Sequence, residues 1–306
     1  MRSPLWFFYT KGVIRMPQRS RSIMNLFYLP ALLLFAVFVV YPFFEGVRIS
    51  FTNWNGYLPN YRYVGFANYQ RLFTDPYFPR VFWNTVLYGF GSTLLQNILG
   101  MGLALFMDTK FRGRGLLRTV VYLPAMIAPL IMGYVMFYVF QYTGGALNDI
   151  MFLFGREAVD WLAAPGRTVT IILMVNTLQY VGVSMVIYLA GLQNIPAMYV
   201  EAAHIDGVGS WSMFRYITFP LLMPAITSAV VINLIGGLKL FDIIRALTPP
   251  SPSTGAASLS TYLTYQYANV ERAGYSAVLG IVTFVFILLV SNLAMWFFDR
   301  KEAQML

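Results

Sequence analysis

Along this chain apolar residues arrive in long continuous runs instead of alternating with polar ones. Six runs, near 24–46, 81–107, 118–141, 168–190, 222–245 and 275–298, each reach the ~20 helical residues that cross a hydrocarbon core of about 30 Å. Four are nearly free of charge; the first ends near Glu45 and Arg48, and the fifth holds Lys239 and Asp242 near one end. A membrane barrel would show segments of ~10 residues with alternating polarity, and the chain has none. The pattern predicts an all-α integral membrane protein, a six-transmembrane-helix bundle over 24–298, preceded by a basic segment 1–23 and followed by a tail 299–306. The run from Met24 to Val40 is too long for a signal peptide and lacks a small-x-small site before Tyr41-Pro42, so it reads as a mature span, with Met16 as an alternative start.

Composition narrows the class further. Of 306 residues, 58% are hydrophobic and 11% charged, too few charges to solvate a globule of this size but enough if most of the surface meets lipid. The absence of cysteine removes disulfides, thiolate metal sites and cysteine nucleophiles. A net charge of +9 finds no solvent-exposed domain on which to form a nucleic-acid-binding patch. Its distribution instead orients the chain. With the N-terminus inside, twelve lysines and arginines fall in inner segments, five of them before the first run and four at Lys110, Arg112, Arg114 and Arg118, against eight outside. The positive-inside bias thus predicts a multi-pass membrane protein with both termini and the 191–221 loop in the cytoplasm.

That loop is too long for a turn between neighbouring helices, which needs about 2 to 8 residues. Asn194 and Pro196 suit a helix start, so a short helix is expected from Pro196 to Asp206, stopped by Gly207 and Gly209; Ser210 would cap a second, Trp211 to Thr218, before Pro220 and Pro224 redirect the chain. Ala202 and Ala203 would leave the first helix a smooth flank, with Glu201 and Asp206 offering carboxylates. An interfacial helix lying on headgroups is the alternative, but such helices carry Lys or Arg on the polar face, and this one carries Glu201, His204 and Asp206.

The stretch EAAHIDGVG, with Glu201, Ala202, Ala203, Gly207, then Ile217 and Pro220, resembles the EAA signature of permease subunits of binding-protein-dependent ABC importers. YLPALLLFAVFVVYPFFEGVRISFTNWNG, YVGFANYQRLFTDPYF, FRGRGLLRTVVYLPAMIAP and KLFDIIRALT are similar to the carbohydrate-uptake branch, the larger permease of maltose-type systems. The resemblance implies the type I importer permease fold, half of a translocation pore for a sugar or oligosaccharide. It also implies a second, different permease subunit, two copies of a cytoplasmic ABC ATPase that carry the ATP and Mg, and an extracytoplasmic solute-binding protein. Glu201, Ala202, Ala203, Asp206 and Gly207 would then form the ATPase-coupling element. Pro249-Pro250-Ser251-Pro252 departs from the glycine-rich continuation common in the family, which leaves that outer loop undetermined.

Polar groups inside spans mark either a pathway or helix-to-helix contacts. Asn176, Gln179 and Tyr180 share a face of the fourth span with Ser184 one turn on, and Asn233 precedes Gly236 and Gly237 in the fifth. Amides, hydroxyls and an aromatic ring suit a sugar, and they serve equally for bonding neighbouring helices. Lys239 and Asp242, at i and i+3, are expected to form a structural ion pair, with solute binding as the alternative. The single histidine, His204, permits neither HExxH nor a His-based triad, and no GxxxxGK[ST] cradles ATP. The chain is therefore read as no enzyme, with no catalytic or metal site and no bound cofactor. A glycerol-phosphate-type importer remains an alternative, and a secondary transporter, channel or membrane enzyme a more distant one.

Overall fold

A computed structural model describes residues 28–305; the basic segment 1–23 and the start of the first apolar run lie outside the described residues. The chain divides into a unit ending at Arg48 and a larger one beginning at Ile49, and α1 (Leu29–Ser50) contributes to both. The larger unit is built from helices α2 (Ala67–Thr74), α3 (Phe78–Asp108), α4 (Arg114–Met126), α5 (Pro129–Phe140), α6 (Ala146–Leu153) and α7 (Pro165–Gln193). There follow α8 (Ala197–Ile205), α9 (Ser210–Leu221), α10 (Met223–Leu238), α11 (Asp242–Leu247), α12 (Leu259–Ala268) and α13 (Ala273–Met305).

Helices α1, α3, α7 and α13 are long and apolar enough to cross a membrane unbroken. At 1.5 Å per residue the 29 residues of α7 extend about 43 Å, comfortably more than a hydrocarbon core. α7 lies among the other helices: Ile172 and Met185 are fully buried, the first packed with Tyr88, Ile243 and Leu247, the second with Met107, Leu222 and Met223.

Two of the six expected spans are not single helices. The run 118–141 is split at Ile127–Ala128, and α4 and α5 meet at 98°. The cause is Pro129, which holds Ala128 in extended conformation (ψ 134°) and cannot donate a backbone bond. The carbonyl of Ile127 that this break releases accepts the Nε2 of Gln179 at 2.9 Å. The run 222–245 is likewise interrupted: α10 ends at Leu238, and α11 begins at Asp242 after Phe241 departs from helical angles (φ −132°). Here Ser258 Oγ donates to the Leu240 carbonyl at 2.8 Å. Non-helical backbone at membrane depth survives where protein groups replace the missing ladder bonds, and both breaks meet that condition.

The segment after α11 is bonded in the same way. Asn84 Nδ2 donates to the Gly255 and Ala257 carbonyls, and Tyr88 Oη to that of Ala256. The Leu259 N–H closes on Thr85 Oγ1 at 2.8 Å. The departing Pro249-Pro250-Ser251-Pro252 runs into a single 3-10 turn, Pro252–Thr254, capped by Ser251.

Candidate functional site: the cavity between α7 and α10 and helix α8

Asn176 and Tyr180, one turn apart on α7, face Asn233 and Gly236 on α10 across a cavity of about 290 Å³. The break after α10 closes one end of it with Lys239, Phe241 and Asp242, Pro129 contributes from α5, and Gln96 from α3. Gln96 is a cavity residue that the sequence reading missed, although its amide within an apolar run was the visible signal. Its Nε2 donates to the Asn176 carbonyl at 3.0 Å, while Oε1 is buried without a partner.

The other polar residues of that α7 face divide by function. Gln179 is fully buried and spent on the Ile127 carbonyl; it shapes the α4–α5 break and does not line the cavity. Ser184, also fully buried, accepts the Nδ2 of Asn233 at 2.7 Å, a bond that ties α7 to α10. Gly236 and Gly237 divide too. A Cβ on Gly237 would come within 2.8 Å of the Tyr88 carbonyl oxygen and 2.6 Å of Ser92 Oγ, whereas one on Gly236 meets nothing within 4 Å. Gly237 is a contact point between α10 and α3, and Gly236 is open cavity wall.

Lys239 and Asp242 do not form the expected ion pair. Spacing of i and i+3 brings side chains together only on a continuous helix, and the chain breaks between them. Each instead sits at a helix end of favourable sign: Lys239 beyond the C-terminus of α10, Asp242 in the first turn of α11. Both charges line the cavity. The arrangement offers amide donors and acceptors, an aromatic ring, one cation and one anion, and it holds no nucleophile and base at bonding distance.

In the 191–221 loop, α8 begins after Pro196 and ends at Ile205. Its stop has a defined geometry. Gly207 takes φ +70°, the Gly207 N–H reaches the His204 carbonyl, and the Val208 N–H reaches that of Ala203. This paired closure is the one a left-handed residue permits after a helix. Glu201 and Ala202 are exposed and Glu201 has no ion-pair partner among the described residues, but Ala203 is 3% exposed and turned inward. Ala203 therefore does not belong to the open flank expected of it: each residue advances a helix by about 100°, which turns Ala203 inward while Ala202 stays outside. Asp206 closes α8 as its C-cap. Ser210 is not a cap; Gly209 occupies that position, and α9 runs from Ser210 through the wide turn Phe214–Thr218 to Leu221. α9 then meets α10 at 68°.

The family model for the binding-protein-dependent transport system inner membrane component matches residues 96–303, which hold the cavity, both breaks and α8. This chain belongs to that family. The trehalose/maltose transport system permease protein MalF of Thermococcus litoralis is 32% identical over 278 residues, covering 90% of this chain and 92% of that protein. Among solved structures, the chain is similar to one of a bacterial ABC transporter for import of the acidic polysaccharide alginate, with a TM-score of 0.80 and 25% identity over 92% of this chain and 96% of that one. It is also similar to the bacterial alginate ABC transporter in complex with an alginate pentasaccharide-bound periplasmic protein, at TM-score 0.78 and 25% identity, covering 90% of this chain and 93% of that one. The chain is thus a multi-pass ABC importer permease of the inner membrane, with a transport role rather than an enzymatic one.

Proposed function

We propose that this permease forms one half of the path for a sugar or oligosaccharide, paired with a second, different permease subunit. Two cytoplasmic ATPase subunits bind ATP with Mg and hydrolyse it, and an extracytoplasmic solute-binding protein delivers the solute. The observation that carries the reading is the cavity between α7 and α10, where Asn176, Tyr180, Asn233 and Gln96 converge. Neutral amides and a phenol bind hydroxyls by paired donation and acceptance, and the ring offers a flat apolar face. Lys239 and Asp242 at its end, and Gly236 as open wall, belong to the same path. α8, with Glu201 and Ala202 exposed and a fixed stop at Gly207, is the lever that the ATPase grips; Ala203 and Asp206 hold its shape. Both termini and α8 lie on the cytoplasmic side.

The test is ATP-driven uptake of labelled maltooligosaccharide into proteoliposomes containing the whole complex and its binding protein. Tyr180→Ala with Asn233→Ala should reduce uptake while ATPase subunits remain bound, since α8 is untouched. Uptake at the parent rate would make these residues mere contacts between helices.

A further inference from the structure

Away from the α7–α10 cavity, a second recess of about 360 Å³ lies between the α2–α3 connection and the segment from α12 to α13, on the side that basic-residue distribution assigns to the outside. Its frame is a hydrogen-bonded hub. Asp75 Oδ2 accepts from the Tyr262 hydroxyl at 2.5 Å and the Tyr275 hydroxyl at 2.6 Å, and Oδ1 accepts from the Tyr77 N–H at 2.9 Å. Gln266 Nε2 donates to Tyr262 Oη at 2.7 Å.

Three groups of this recess are left over. The guanidiniums of Arg71 and Arg272 line it, and neither forms an ion pair among the described residues. Arg71 rests over the Tyr275 ring, 5.5 Å from its centre, which fixes its position. Gln266 also lines the recess, is only 5% exposed, and its Oε1 has no donor. A buried acceptor without a partner costs about 1–3 kcal/mol, so a donor arriving from the recess would recover that loss. Accepting three bonds from neutral donors does not cancel the Asp75 charge, but Arg71 and Arg272 outnumber that one carboxylate in the lining of the recess. The unspent chemistry is thus two forked cations beside one acceptor, with the rings of Tyr77 and Tyr265 on the wall.

We propose that this recess binds a uronate residue of an acidic saccharide, its carboxylate received by Arg71 and Arg272 and a ring hydroxyl donated to Gln266 Oε1. Guanidinium forks match a carboxylate in two parallel bonds, and a single sugar carries both the anion and the hydroxyl within one ring. A carboxylate side chain would satisfy the arginines alone and leave Gln266 unpaired. The proposal rests on the saccharide-importer reading for how such a solute arrives, and it names an acidic sugar as the class captured before the α7–α10 cavity. Binding itself is a property of this chain.

The experiment is calorimetric titration of the full chain in lipid nanodiscs with digalacturonate, and with neutral galactobiose in parallel. Digalacturonate should bind saturably and more weakly as salt rises, while galactobiose should not saturate. Arg71→Gln with Arg272→Gln should weaken digalacturonate by about tenfold or more, and Gln266→Leu by several-fold, in protein that melts at the parent temperature. Absence of saturable digalacturonate binding, equal affinity for galactobiose, or unchanged affinity in the double arginine variant would each overturn the proposal. Maltooligosaccharide uptake by the parent complex separates this outcome from failure of the importer reading, since that measurement needs no uronate.

Discussion

Adjacent glycines of α10 have opposite reasons to lack a side chain. Gly237→Ala would force a methyl against the Tyr88 carbonyl at 2.8 Å and Gly89 Cα at 2.9 Å, and overpacking of this kind costs about 1–3 kcal/mol. Gly236→Ala meets no atom and should leave the melting temperature of the purified protein at the parent value, whereas Gly237→Ala should lower it; equal melting would mean that the α3–α10 contact yields freely. Gly207 differs again, because its φ of +70° rather than its surroundings excludes a side chain. Gly207→Val opposes that conformation by roughly 1–2 kcal/mol and should dislodge the end of α8. Combined with Glu201→Lys, it should abolish solute uptake and lower the ATPase content of the purified complex while the cavity residues remain in place. Normal uptake by the double variant would remove α8 as the coupling element.

At the scale of elements, the two breaks are held by side chains from elsewhere in the fold. Gln179→Leu would leave the Ile127 carbonyl buried and unpaired, and Ser258→Ala would do the same to Leu240. Each should cost about 1–3 kcal/mol, read as a lower melting temperature, with Gln179→Glu no substitute because a carboxylate cannot donate. This is also where legibility from sequence ends. α7 and α13 could be read directly because uninterrupted apolar length is sufficient to specify a span, and the face carrying Asn176 and Tyr180 followed from helical spacing. Pro129 gave a local sign of the first break, but the run through Lys239 and Asp242 hides the second, which depends on Ser258 many residues later. Gln179 shares its face with Asn176 and Tyr180, so periodicity alone could not reveal that it was committed to a backbone carbonyl. The hub at Asp75 joins three elements and adds a pH dependence. Burial first, then the Asp75 carboxylate, raise the Tyr262 hydroxyl above its ordinary value. The folded protein therefore holds this proton more tightly than the unfolded chain: the contribution is intact below about pH 10 and is lost as pH rises toward the folded value. Tyr262→Phe should flatten the fall of melting temperature above that pH; an unchanged slope would show that Tyr262 does not contribute to it.

For the whole molecule, the 98° angle between α4 and α5 makes topology a question of substance. If this pair and the α9–α10 pair each form one crossing, the chain crosses six times, placing α8 in the cytoplasm and the turn at Pro252–Thr254 outside. If the α4–α5 pair instead enters and returns on one side, every later segment is inverted, and α8 would face away from any cytoplasmic ATPase. Lys110 and Arg112 precede the pair and cannot distinguish the two arrangements, while the basic residues after it are too evenly divided to decide strongly. The distinction can be measured because the chain has no cysteine and both Ser210 and Ser253 are exposed. In intact cells an impermeant maleimide should label Ser253→Cys and spare Ser210→Cys until the membrane is opened. The reverse pattern would make α4 and α5 a re-entrant hairpin and exclude α8 as an ATPase contact, whereas the expected pattern leaves the break within a single crossing, bent where the cavity needs Pro129 in its wall.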